Sequence, residues 1–141
     1  MRVCVIDGRG GGLGSRLVAG LHFELGSAHH IVALGTNNIA AAAMKQAGAT
    51  QVGVGPRAIV EMLPTVDVIV SSLNVVLPGA MLGEVTPEIV HAILGARAKK
   101  VLLPLNRARV EIVGSGGPTL ETLIVQSLSR VRSLVSSVRS A

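Results

Sequence analysis

The chain has 141 residues, 49% of them hydrophobic and 15% charged, with a formal net charge of +5. That balance excludes a disordered chain and predicts one globular domain over 1–141, large enough to bury a core. No stretch is long and apolar enough to read as a membrane span, and the lone Cys4 excludes an internal disulfide.

The first element is "RVCVID" (2–7), a run of β-formers that predicts a buried strand with Cys4 as a small core residue. Because the strand pattern starts at once, no signal peptide is expected, and the location implied is cytoplasmic. Five glycines then fall in the seven positions from Gly8 to Gly14. Leu13, Leu17, Val18, Leu21 and Leu25 follow at helical spacing, and Gly26 ends that helix. A glycine-rich turn between a strand and a helix lets a ligand approach the backbone, and the helix N-terminus behind it suits phosphate. Asp7 is expected to hold the N–H groups of this turn.

"HIVALG" (30–35) predicts a second strand, with His29 and His30 a solvated pair at the edge away from the turn. Thr36 or Asn37 caps a helix whose apolar face is Ile39, Ala40, Ala43, Met44 and Ala47, closed by Gly48. "QVGV" (51–54) is a short third strand. Pro56 opens the helix "RAIVEML", and Pro64 stops it. "VDVIVS" (66–71) is a fourth strand, followed by Ser72 and Asn74 on the loop. Thr86, Pro87 and Glu88 are the cap and first turn of a helix ending at Gly95. "KVLLPL" (100–105) and "RVEIVG" (109–114) predict a fifth and a sixth strand, and "GSGGP" leads into a long last helix.

Strands alternating with helices imply a Rossmann-like doubly wound α/β sheet, mostly parallel, in the order 3-2-1-4-5. Three residues, Asn106–Ala108, separate the last two strands, too few for a parallel crossover, so the sixth is expected antiparallel at the edge. Arg97, Lys99, Lys100, Arg107 and Arg109 form a local basic patch without an acid. With one Phe and no Tyr or Trp, stacking on nucleic acid is not expected. In the last helix, Ile124, Leu128, Val131, Val135 and Val138 form a seam that suggests a homodimer contact or docking on the sheet.

The glycines Gly8, Gly12 and Gly14 spell G-x-x-x-G-x-G, and "GATQVGVG" and "VDVIVSSLN" follow where further strands are expected. Over residues 1–75 this resembles the short-chain dehydrogenase/reductase enzymes. The stretches "ALGTNNIAAAAMKQAGA", "MLGEVTPEIV" and "KKVLLPLNRARVEIVG" bring most of the chain close to a small bacterial family of Rossmann-like proteins of unknown function. The first resemblance implies a dinucleotide held by Gly8, Arg9, Gly10, Gly11, Gly12, Leu13 and Gly14. Thr36 and Asn37 would lie near its ribose, and Ser71, Ser72, Asn74 and Arg107 around the rest. The second strand ends in "ALGTNN" without the acid that usually contacts the ribose, and Arg9 and Arg16 flank the loop, which favours NADP over NAD.

The reductases' catalytic Tyr has no counterpart, because the chain contains no Tyr. The alternatives are therefore an oxidoreductase without the usual Tyr/Lys pair, a non-catalytic nucleotide-sensing module, and a protein that binds another phosphorylated small molecule.

Overall fold

The computed structural model describes residues 1–105 and 109–140. Five strands, β1 (Arg2–Asp7), β2 (His30–Gly35), β3 (Gln51–Val54), β4 (Val68–Ser72) and β5 (Lys99–Leu103), form one parallel sheet in the order β3-β2-β1-β4-β5. Every pairing is parallel, with Val3 opposite both Ile31 and Val68. The helices are α1 (Gly12–Leu25), α2 (Asn38–Gln46), α3 (Gly55–Met62), α4 (Pro87–Gly95) and α5 (Leu120–Ser140). The expected architecture and strand order are observed.

Alternation along the strands divides the core in two. Val3, Val5, Ile31, Ala33, Val68 and Val70 face a layer made by α1, α2 and α5. Cys4, Ile6, Val32, Leu34 and Ile69 face the other way, onto α3 and α4. Both faces of the sheet are thus covered, as a parallel sheet requires. Cys4 is fully buried, and desolvation pushes its thiol pKa far up, so it serves as core.

Helix starts follow their caps. Asn37 accepts from the N–H of Ala40, and Thr86 accepts from that of Ile89 ahead of Pro87. The buried face of α2 is Ala40, Ala41 and Met44, whereas Ile39 is 71% exposed. The expected face holds at Ala40 and Met44, with Ala43 and Ala47 half-buried; only Ile39 is replaced, by Ala41, whose backbone lies against Gly35 of β2.

One expectation is corrected. The sixth strand does not form: Val110 makes a single isolated bridge, and the sheet among the described residues has five strands. No layer covers residues 109–113, where Val113 is 97% and Val110 is 44% exposed. The seam of α5 is already used. Ile124, Val131 and Val135 are buried in the chain's own core, and Leu128 packs on Gly20 of α1. Each such side chain contributes roughly 1.5–3 kcal/mol on burial. Of the two expectations for this seam, docking within the chain is what the described residues show. Val138 of the seam lies beyond the last described side chain.

Candidate functional site

Moving out from β1, the sheet order runs through β2 to β3 on one side and through β4 to β5 on the other. The direction of winding therefore reverses between β1 and β4, and ligands of open α/β sheets bind at the carboxyl ends of the strands at such a reversal. A cavity of about 140 Å³ lies there, lined by Asp7 through Leu13, Ser72, Met81 and Leu105.

Asp7 sets the shape of the glycine turn. Its Oδ1 accepts from the N–H of Gly8 at 2.8 Å and its Oδ2 from that of Gly14 at 2.6 Å. The N–H of Gly11 closes onto the carbonyl of Gly8, and that of Ser15 onto the carbonyl of Gly11. These bonds satisfy part of the first turn of α1. They leave the N–H groups of Gly12 and Leu13, which have no carbonyl one turn behind them.

The five glycines divide by what their missing Cβ would meet. A Cβ on Gly8 would lie 2.7 Å from Met81 Sδ, and one on Gly14 would lie 2.7 Å from both Asp7 Cβ and Met44 Sδ. Gly11 takes φ of 72°, and a Cβ there would sit 2.9 Å from the Cα of Ala40. The fold itself demands these three. At Gly10 and Gly12 a Cβ would meet nothing within 4 Å, and both residues line the cavity.

Ser72 closes the opposite wall. Its Oγ accepts from the backbone N–H of Asn74 and from Asn74 Nδ2, at 3.1 and 2.8 Å. Both lone pairs are thereby engaged, and the hydroxyl proton has no acceptor among the described residues, although Ser72 is 2% exposed. Ser71 was expected in the site and is not available to it. Its hydroxyl donates to the carbonyl of Ile6, tying β4 to β1.

Thr36 and Asn37 were expected beside a ribose. Here they hold Glu84 instead. Glu84 Oε1 accepts from the Thr36 hydroxyl, from Asn37 Nδ2 at 2.9 Å and from the backbone N–H of Arg9 at 3.1 Å. These donors keep the Glu84 pKa below the usual carboxylate value, the Thr36 bond contributing most. Glu84 comes from the segment 77–85, which crosses the sheet edge and folds over Gly8. Sequence reading missed it. Its only signal was to be the first charge after the long uncharged run 68–83.

Arg107 lies outside the described residues. Lys99 and Lys100 begin β5, at the end of the sheet away from the cavity, and Lys100 Nζ donates to the carbonyl of Ala96 behind α4. The 114–118 segment is a turn, with Gly114 at φ of 92° and the N–H of Ser115 bonded to the carbonyl of Ile112. His30 begins β2, and His29 Nδ1 lies 3.2 Å from the amino group of Met1, both far from the cavity end of the strands. No helix among the described residues is long and apolar enough to cross a membrane.

A family model described as "Domain of unknown function (DUF3842)" matches residues 2–136, so the chain belongs to that family. Of the two resemblances read from the sequence, the one to a small family of unknown function is borne out. No curated protein matches. Among solved structures, the chain is similar to the "dodecameric FMN-dependent Ubix-like Decarboxylase from Escherichia coli O157:H7". The identity is 10%, the TM-score 0.46, and the match covers 96% of this chain and 94% of that one.

The expectation of NADP or NAD is corrected. In the chain itself, Glu84 already engages Thr36 and Asn37, the side chains expected at the ribose of either cofactor, and its carboxylate opposes a 2′-phosphate.

Proposed function

We propose that this member of the DUF3842 family binds a phosphorylated small molecule, with the phosphate in the cavity between the Gly8–Leu13 turn and Ser72. The observation that carries this reading is the pair Gly10 and Gly12. The fold needs neither, since a Cβ at either would meet nothing, yet both keep the backbone bare where it lines the cavity. What surrounds the space donates: the N–H groups of Gly12 and Leu13, the Ser72 hydroxyl, and the positive end of α1. A group with several acceptor oxygens and negative charge fits that surround. Arg9, exposed on the rim, adds a mobile positive charge.

The reading is one of binding. Among the described lining residues the titratable groups are Asp7 and Arg9, and the Asp7 carboxylate is engaged with Gly8 and Gly14. No acid or base among the described lining residues is left over to define a reaction.

Thermal shift and calorimetry with inorganic phosphate and ribose 5-phosphate test it. Both should stabilise the protein. Gly12→Val should remove that stabilisation, and Lys99→Ala with Lys100→Ala should retain it. Equal ligand response in Gly12→Val would overturn the reading.

A further inference from the structure

A second chamber of about 390 Å³ adjoins the phosphate cavity and shares Arg9 and Met81 with it. Its walls include Leu77, Ala80 and Leu82, so it is mainly apolar. Besides Arg9, one polar residue lines it, Asn74, which is 1% exposed. Asn74 Nδ2 gives one proton to Ser72 Oγ. Its second Nδ2 proton and its Oδ1 have no partner among the described residues. Every fully buried side-chain nitrogen and oxygen among those residues has a partner, so an Oδ1 without one is open to space. The chamber is the space that Asn74 lines.

An amide that opens onto the chamber with one donor and one acceptor left over is completed by water or by a ligand that displaces it. Its complement is a group with an N–H beside a C=O. The apolar walls call for a flat or apolar body carrying that edge. We infer that the chamber is a second subsite for the same ligand, accepting a heterocycle with a lactam or imide edge that pairs with Asn74. The ligand is thereby a phosphorylated heterocycle of mononucleotide size, such as a pyrimidine or flavin mononucleotide. This inference rests on the phosphate reading, and Ser72 joins the two subsites: its Oγ is held by Asn74 while its proton remains for the phosphate side.

The test is calorimetry on the full chain with four probes: ribose 5-phosphate, uridine 5′-monophosphate, its N3-methyl derivative and FMN. At least one of the two intact heterocycles should bind ten-fold or more tighter than ribose 5-phosphate. If uridine monophosphate is the one that gains, N3-methylation should remove the gain. Ala80→Met, which fills the chamber, should erase the gain of whichever heterocycle shows it and leave ribose 5-phosphate unchanged. Ala80 avoids the network around Asn74, and Asn74→Leu serves as a second variant with the same expected pattern. If ribose 5-phosphate binds as tightly as both heterocycles, or Ala80→Met and Asn74→Leu leave the gain intact, the chamber inference falls and the phosphate reading stands. If ribose 5-phosphate does not bind while a heterocycle does, and Gly12→Val leaves that binding unchanged, the phosphate reading falls and the inference falls with it. Absence of binding by every probe overturns both.

Discussion

Two loops meet over the end of β1, and they reach positive φ by different means. The Gly8–Leu13 turn uses Gly11 at 72° and Arg9 at 52°. The 77–85 segment uses Gly79 and Gly83, at 90° and 87°, but also Met81 and Leu82, both at 57°. Left-handed backbone costs a non-glycine residue roughly 1–2 kcal/mol. The first loop carries one such residue, Arg9, among glycines beyond what the fold needs. The second is forced into its shape by what it holds: Met81 buried over Gly8, Glu84 on three donors, and its own bonds from Gly79 to Val85 and from Val85 to Ala80. A spare glycine points outward to a ligand. The strained Met81 points inward to contacts that over-determine it, and the exposed Leu82 is carried beside it.

The largest effect that tests this contrast lies within the glycine turn. Gly11→Val should destabilise the protein by about 3 kcal/mol, because a β-branched residue at φ of 72° is strained and its Cβ would meet the backbone of Ala40. Chemical denaturation measures it. A loss below about 1 kcal/mol would mean that α1 and α2 yield, and that Gly11 is not demanded by the fold.

Glu84→Ala comes next. It strips the carboxylate from Thr36, Asn37 and the N–H of Arg9, groups that remain partly solvated, so the expected loss is about 1–2 kcal/mol. The pH dependence has a definite sign. The folded pKa of Glu84 is depressed, so its stabilisation is complete above the ordinary carboxylate value near 4.5 and is lost as pH falls below that toward the folded value. The wild type should therefore lose more Tm between pH 6 and pH 3 than Glu84→Gln does. Equal losses would show that the second loop does not depend on this carboxylate.

How much of this was legible follows from the same contrast. The strands, the caps at Asn37 and Thr86, and the glycine turn are local signals, and they placed β1, α1 and the cavity correctly. Asp7 was read correctly because its partners Gly8 and Gly14 lie within seven residues. Glu84 was not, because its partners lie 47, 48 and 75 residues away and nothing in "MLGE" announces two left-handed apolar residues. Ser71 and Ser72 are adjacent, and the sequence could not divide them. Strand alternation does: Ser71 bonds back to β1, and Ser72 faces the cavity. The sixth strand failed for the converse reason, since "RVEIVG" has the composition of a strand but no layer to bury it.

Gly12→Ala sharpens the division among the glycines with a smaller effect on stability. Its Cβ enters open space at the first position of α1, where alanine favours helix over glycine by about 0.8–1 kcal/mol in a helix interior and less at its first turn. The unliganded protein should be unchanged or slightly more stable, while stabilisation by phosphate falls. A destabilised Gly12→Ala would place Gly12 with Gly11 and Gly14 among the glycines that the fold demands.

The smallest effect probes the second loop directly. Leu82 is 85% exposed, so removing its side chain gives up little burial. Leu82→Gly relieves roughly 1–2 kcal/mol of left-handed strain and costs roughly 0.5–1 kcal/mol through the greater freedom of the unfolded chain. The difference is a gain of about 0.5 kcal/mol, which for a chain of this size raises Tm by about 1–2 °C. Met81 shares the same φ but is 7% exposed and packs over Gly8, so Met81→Gly should destabilise despite the same relief. Opposite signs at two adjacent residues of equal φ would separate backbone strain from the contact that enforces it. If both substitutions destabilise, Leu82 holds the loop by a contact of its own, and the strain at 82 is not imposed by Met81 and Glu84 alone.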